Sequence, residues 1–135
     1  MMNFFARYQE QSYALLRIVA GLLFLAHGIH KFCDFPADFP YPLTSMLVGA
    51  GAIELVAGGM IALGLLTRPA AFIASGMSAV GYWTVHGMAS PFPIANGGET
   101  IALYAFIFLF IAARGAGIWS IDALWQDDKD APPAA

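Results

Sequence analysis

Four long apolar runs fill most of the 135 residues, and one of them, Pro69 to Met88, holds no Asp, Glu, Lys or Arg. The others run from Ser12 to Phe32, from Leu43 to Leu66 with Glu54 as its single charged residue, and from Glu99 to Arg114 around the dense stretch Ile101 to Ala113. A helix of about 20 mainly apolar residues crosses a hydrocarbon core about 30 Å thick. In lipid the backbone must satisfy its own hydrogen bonds, which only helices and closed barrels do, and runs this long and continuous are helical. The composition calls for the same solvent. Charged residues make up 11% and apolar residues 59%, whereas a typical soluble domain carries roughly 25% charge. A chain this small has too much surface to cover with so few charges. The sequence therefore predicts an all-α polytopic membrane protein, a bundle of four transmembrane helices at about 12–32, 43–66, 69–88 and 99–114, set in the lipid bilayer.

The connections fit that pattern. Pro36, Pro40 and Pro42 fill the first loop, where they cannot continue a helix. Thr67, Arg68 and Pro69 make a tight second turn with Thr67 as the expected N-cap. The third connection, Ser90 to Gly98, carries Pro91, Pro93 and the turn signal Asn96-Gly97-Gly98. With four alternating helices, Arg7, Arg68, Arg114 and Lys129 fall on one side and Lys31 alone near the other. Basic loops face the cytoplasm, so both termini are expected there. Residues 1–11 read as an interfacial segment with Met1, Phe4, Phe5 and Tyr8 at helical spacing. Residues 12–119 form the membrane domain. Residues 120–135 read as a short cytoplasmic helix capped by Ser120, with a tail disordered from Gln126. A cleaved signal peptide is the weaker reading of the first run, because Arg17 interrupts it and no small-x-small site follows.

Some classes are excluded. Cys33 is the only cysteine, which leaves no intrachain disulfide and no Cys-rich metal site. The three His and Cys33 lack a ligand spacing, so no metal is expected. Six scattered Lys and Arg make no patch for nucleic acid. Gly49-x-Gly51 lacks the third glycine of a dinucleotide fingerprint and opens a membrane helix.

Ionisable groups inside a span cost about 2.5–3.5 kcal/mol each on insertion scales, so each needs a reason. Counting from the span ends puts Arg17 and Glu54 within a few ångströms in depth, which predicts a buried Arg17–Glu54 ion pair fixing helix register. The functional alternative is that Glu54 faces a cavity and relays a proton or holds a ligand. His27, His30 and Lys31 close the first helix, His86 closes the third and Glu99 opens the fourth, all at the far end. Helical spacing puts Lys31 on the face of Arg17, Gly21, Phe24 and Gly28, with His27 at its margin and His30 turned away. Lys31 snorkelling to the interface is the plain reading of that residue. Ala50, Glu54 and Gly58 form a small-residue seam permitting close helix approach. The candidate ligand or proton-relay residues are Arg17, His27, Lys31, Glu54, His86 and Glu99.

These residues also carry a resemblance. Leu16-Arg17 through Phe24, His27-Gly28 and Lys31-Phe32, then Glu54, Gly58-Gly59, Gly64 and Thr67-Arg68-Pro69-Ala70-Ala71, resemble the first two helices and the turn of the DoxX family. His86, Asn96-Gly97-Gly98-Glu99 and the ending Gly115 to Leu124 also fit, so the resemblance spans about Tyr13 to Leu124. It implies a small bacterial inner-membrane four-helix bundle. Some relatives are subunits of thiosulfate:quinone oxidoreductases, which implies a subunit of a membrane oxidoreductase complex with a partner oxidoreductase.

Two functions follow as expectations. In the first, the six candidate residues line a pocket for a quinone, His27 or His86 hydrogen-bonds its oxygen, and Glu54 or Glu99 carries the proton. Electrons come from the partner, since the sequence holds no redox centre of its own. A haem held by His27 and His86 is a variant. In the second, the protein is a non-enzymatic scaffold or small-molecule carrier, with homo-oligomer formation open to either.

Overall fold

The computed structural model describes residues 2–130, with side chains from Phe4 to Gln126. The described residues contain helices and no strand. Helix α1 (Met2–Ala6) is separated by a turn from α2 (Gln9–Cys33), and α3 (Ser45–Leu63) follows the first loop. Helix α4 (Thr67–Gly81) runs directly into a π-helical turn, Tyr82–His86. The short α5 (Pro93–Asn96), α6 (Glu99–Arg114) and α7 (Ile121–Asp130) complete the chain. Two helices, α2 and α3, are by themselves long and apolar enough to cross a membrane. Helix α2 packs chiefly on α3 and α4 on α6, and the two hairpins meet mainly through α3 and α4.

The packing is small inside and large outside. Ala14, Ala20, Ala57, Ala70, Ala71 and Ala74 are buried, beside an aromatic block of Phe24, Tyr104 and Phe108. Leu22, Val56, Phe72 and Phe106, one on each of the four longer helices, are exposed. Helices in lipid gain nothing from hiding leucine from a solvent equally apolar, and associate instead where small residues let their backbones approach. The α2–α3 seam is built this way. A Cβ added at Gly21 would lie 2.5 Å from the Ala62 amide nitrogen and 2.8 Å from the Gly58 carbonyl oxygen. One at Gly28 would lie 2.9 Å from the Gly51 carbonyl and 2.8 Å from the Leu55 amide nitrogen.

That seam fixes a register the sequence does not declare. With Gly21 against Gly58 and Ala62, and Gly28 against Gly51 and Leu55, residue n of α2 lies level with about residue 80 − n of α3. Arg17 is therefore level with the end of α3, about 14 Å along the axis from Glu54 at 1.5 Å per residue. The expected Arg17–Glu54 ion pair does not form. Arg17 is fully buried and donates instead to the carbonyls of Ala116, of Ile118 at 3.3 Å and of Trp119 at 2.6 Å. The positive φ of Gly115 (94°) and Gly117 (67°) curls the α6–α7 connection so that it presents these carbonyls.

The rest of this end is tied by similar bonds to backbone. The Tyr13 hydroxyl donates to the Gly115 carbonyl, and Arg68 donates to the last carbonyls of α6, those of Ala112 (3.1 Å), Ala113 (2.5 Å) and Arg114 (3.1 Å). Arg114 lies over the Tyr13 ring and pairs with Glu10. Thr67 begins α4 rather than capping it. The cap comes from Asp122, whose carboxylate accepts from the amides of Leu66 (2.8 Å) and Thr67 (2.9 Å), while its own amide donates to the Gly64 carbonyl (2.8 Å). Burial opposes ionisation of Asp122, but these backbone donors and the Arg17 charge outweigh it and hold the carboxyl below its ordinary range. Ser120 caps α7 as expected, its hydroxyl accepting from the Ala123 amide at 3.2 Å. Helix α7 runs to Asp130; residues 131–135 of the expected tail, and Met1 of the interfacial stripe, lie outside the described residues. Phe4, Phe5 and Tyr8 are exposed around the α1–α2 turn.

Candidate ligand chamber

At the opposite end a cavity of about 290 Å³ opens between the two hairpins. Helix α2 contributes Phe24, His27 and Lys31, one turn apart along a single face, and α3 contributes Glu54. Met77 comes from α4, His86 from the π turn, and Thr100, Ile101 and Tyr104 from α6. Four of the six candidate residues, His27, Lys31, Glu54 and His86, are thus brought together. Arg17 lies at the other end of the bundle, bonded to backbone. Glu99 is exposed in the first turn of α6, where the helix dipole favours a carboxylate, and does not line the cavity.

Lys31 does not snorkel outward. Its ammonium turns back along α2 and donates to both Glu54 carboxylate oxygens, at 2.7 and 2.6 Å, with the two side chains only 12% and 10% exposed. The α2–α3 register explains the choice. Glu54 is level with about residue 26, so Lys31 lies about 8 Å higher, within reach of its four-carbon stem. The first loop folds over this pair. The Asp34 carboxylate accepts from the Phe39 amide at 2.9 Å, and the Phe39 ring sits 5.8 Å from the ammonium and edge-on to His30. His30 accordingly belongs to the loop packing rather than to the cavity.

His86 owes its position to the π turn. Met77 and His86, nine residues apart, would be roughly half a turn out of phase on an uninterrupted α-helix. The wider turn, closed by the Gly87 amide donating to the Tyr82 carbonyl at 2.7 Å, rotates His86 back to the cavity. Its Nδ1 lies 3.0 Å from the Asn96 carbonyl, which can only accept, so Nδ1 carries a proton and Nε2 is left free to meet a ligand. Asn96 is itself held by Tyr82 and Ser90: its amide donates to the Tyr82 hydroxyl (3.0 Å) and the Ser90 carbonyl (2.8 Å). The cavity floor is aromatic. Tyr104 stacks on Phe108, with Phe24 edge-on to both and His27 edge-on to Tyr104.

The sequence reading missed Asn96 as the anchor of His86, and Phe24, Thr100 and Tyr104 as walls. Spacing held part of that signal: Thr100, Ile101, Tyr104 and Phe108 share one face of α6. The arrangement joins a cation, a carboxylate and two imidazoles above a flat apolar floor, which suits a small planar molecule with polar oxygens. No cluster of His, Cys, Asp or Glu with metal-holding geometry occurs among the described residues.

Comparison with known proteins finds a family over the first three long helices. The DoxX family model matches residues 12–87, from the start of α2 through the π turn. An uncharacterized protein of Haemophilus influenzae is 40% identical over 128 residues, covering 90% of this chain and 96% of the relative. No solved structure matches the chain. The chain belongs to the DoxX family and, with two helices apolar enough to cross a bilayer, is a membrane protein.

Proposed function

We propose that the protein is a four-span bundle of the bacterial inner membrane, with both termini cytoplasmic, whose chamber binds the polar head of a quinone-like molecule in a redox-associated complex. Support for four spans comes from the exposed apolar side chains on α4 and α6 as well as on α2 and α3. Helix α4 with its π turn covers Thr67 to His86, enough for one crossing. Support for the orientation comes from Arg68 and Arg114, which meet at the α6 end while Lys31 lies at the other.

The observation that carries the ligand reading is the meeting of His27, Lys31, Glu54 and His86 over the Phe24–Tyr104 floor. A cavity of about 290 Å³ is at the low end for small-molecule sites. It suits one substituted ring and is too small for a porphyrin, so haem does not fit. A bound quinone supplies two-electron, two-proton redox chemistry. The protein's part is to hold it and exchange protons with it: a histidine or Lys31 donates to one ring oxygen, and the Glu54 carboxylate and His27 lie within reach to accept protons that the reduced ring releases. Electrons are assigned to a partner oxidoreductase subunit, because the described side chains include no redox centre. If Glu54→Gln and His86→Ala each weaken the binding of a soluble benzoquinone about ten-fold or more, as loss of a charge-assisted hydrogen bond does, the reading stands. Unchanged affinity in both variants refutes it and leaves the non-enzymatic scaffold or small-molecule carrier role.

A further inference from the structure

A second recess, about 600 Å³ and mostly apolar, runs between α3 and α4 on the outside of the bundle. Its walls are two helical stripes: Met46, Gly49 and Ile53 on α3, and Ile73, Gly76 and Val80 on α4. Each trio keeps the three- and four-residue spacing of one helix face. Lys31, Glu54, Met77, His86 and Ile101 line both this groove and the chamber, so the two adjoin across the Lys31–Glu54 pair. The α4 wall descends from Gly81 to Ile73, about 12 Å toward the middle of the bilayer.

The glycines sharpen the point. Those of the α2–α3 seam are required by backbone contact, but a Cβ at Gly49, Gly59 or Gly76 would meet nothing within 4 Å. A mid-helix glycine without a close neighbour weakens its helix with no packing return. Gly59 lies outside the groove, whereas Gly49 and Gly76 stand in opposite walls of it, where any larger side chain would fill the space.

We infer that this groove is the lateral entrance for a lipid-borne ligand, and that it holds a single linear apolar tail whose polar ring occupies the chamber. The inference rests on the ligand reading above and narrows it to tail-bearing molecules drawn from the bilayer. A ligand entering from lipid must keep its tail in apolar surroundings while its head reaches the polar groups, and the groove is an apolar path ending at them. Groove and lipid tails are about equally apolar, so the tail adds little affinity; the groove governs admission.

The test compares a tail-free benzoquinone with the same ring bearing a ten-carbon linear tail, binding to the full-length protein in lipid nanodiscs. Gly76→Leu, and independently Gly49→Leu, fill the groove from opposite walls in open space. Each is expected to weaken the tailed ring about ten-fold or more through steric overfilling, with the tail-free ring held within about two-fold. Equal weakening of both rings in both variants overturns the inference, because the substitutions then act on the chamber. Undiminished binding of the tailed ring overturns it too, and places the tail elsewhere. Loss of a self-associated state without a change in selectivity makes the groove a contact between copies, which also overturns it. Failure of the unsubstituted protein to bind even the tail-free ring is a separate result, and removes the ligand reading itself.

Discussion

The Lys31–Glu54 contact and the absence of an Arg17–Glu54 contact make opposite forecasts for double-mutant cycles. One Lys31 ammonium bonds both Glu54 oxygens at 2.7 and 2.6 Å, and neither side chain exceeds 12% exposure. Removing one partner from a buried pair strands the other charge and typically costs about 3–5 kcal/mol. The adjoining chamber lets some water reach the survivor, so about 2–3 kcal/mol is expected for Lys31→Met or Glu54→Gln alone. The double variant strands nothing and should fall short of the summed losses by about 1.5–3 kcal/mol. Arg17 is different. Its partners are three backbone carbonyls, and it lies about 14 Å along the axis from Glu54, so Arg17→Leu and Glu54→Gln should add within about 0.5 kcal/mol. Reversible unfolding in mixed micelles, followed by the fluorescence of the three tryptophans, gives all the needed values. A coupling above about 1 kcal/mol between Arg17 and Glu54, or none between Lys31 and Glu54, refutes the register derived from the glycine seam.

Three more outcomes follow from the same geometry. Gly21→Ala puts a Cβ 2.5 Å from the Ala62 nitrogen and should cost about 1–3 kcal/mol, whereas Gly59→Ala, with nothing within 4 Å, should stabilise by about 0.4–1 kcal/mol in the same unfolding assay. Asp122 ionises below its ordinary value of 3.8, so its contribution is fully present above that pH and is lost as pH falls through the lower folded value. Proteolysis of α7 should therefore rise below about pH 4 in the unsubstituted protein, and Asp122→Asn should remove that pH dependence. Cys33 is exposed at the chamber end, so a membrane-impermeant maleimide should label it in spheroplasts; labelling that appears only after permeabilisation contradicts the proposed orientation.

Much of the helical plan was legible because it depends only on where apolar runs begin and end. Helix α6, Glu99–Arg114, begins and ends at punctuation visible in the sequence, since a glycine pair precedes it and a glycine follows. Depth was not legible. Counting residues from the span ends placed Arg17 beside Glu54, but the offset of two packed helices is set by which glycines touch, and several pairings of Gly21 and Gly28 with the glycines of α3 are equally open on paper. The π turn was hidden for a similar reason: nothing in Tyr82–His86 announces an extra residue per turn, yet that residue brings His86 to the chamber. The basic end concealed a different kind of partner. Arg17 looked like half of an ion pair because a carboxylate is visible in sequence, whereas carbonyls presented by a glycine-curled loop a hundred residues away are not. Thr67 looked like a cap for its residue type alone, and Asp122 took the role through tertiary contact.

The most direct measurement is a reduced-minus-oxidised absorption spectrum of the protein isolated in its native lipid, with bound small molecules extracted and quantified from the same sample. A quinone difference signal near one per chain, lost in the Glu54→Gln/His86→Ala double variant, is the result expected of a chamber that holds a lipid-borne ring. A Soret band would contradict the size argument against haem. No quinone above the level carried by an unrelated membrane protein in the same lipid would contradict the ligand reading.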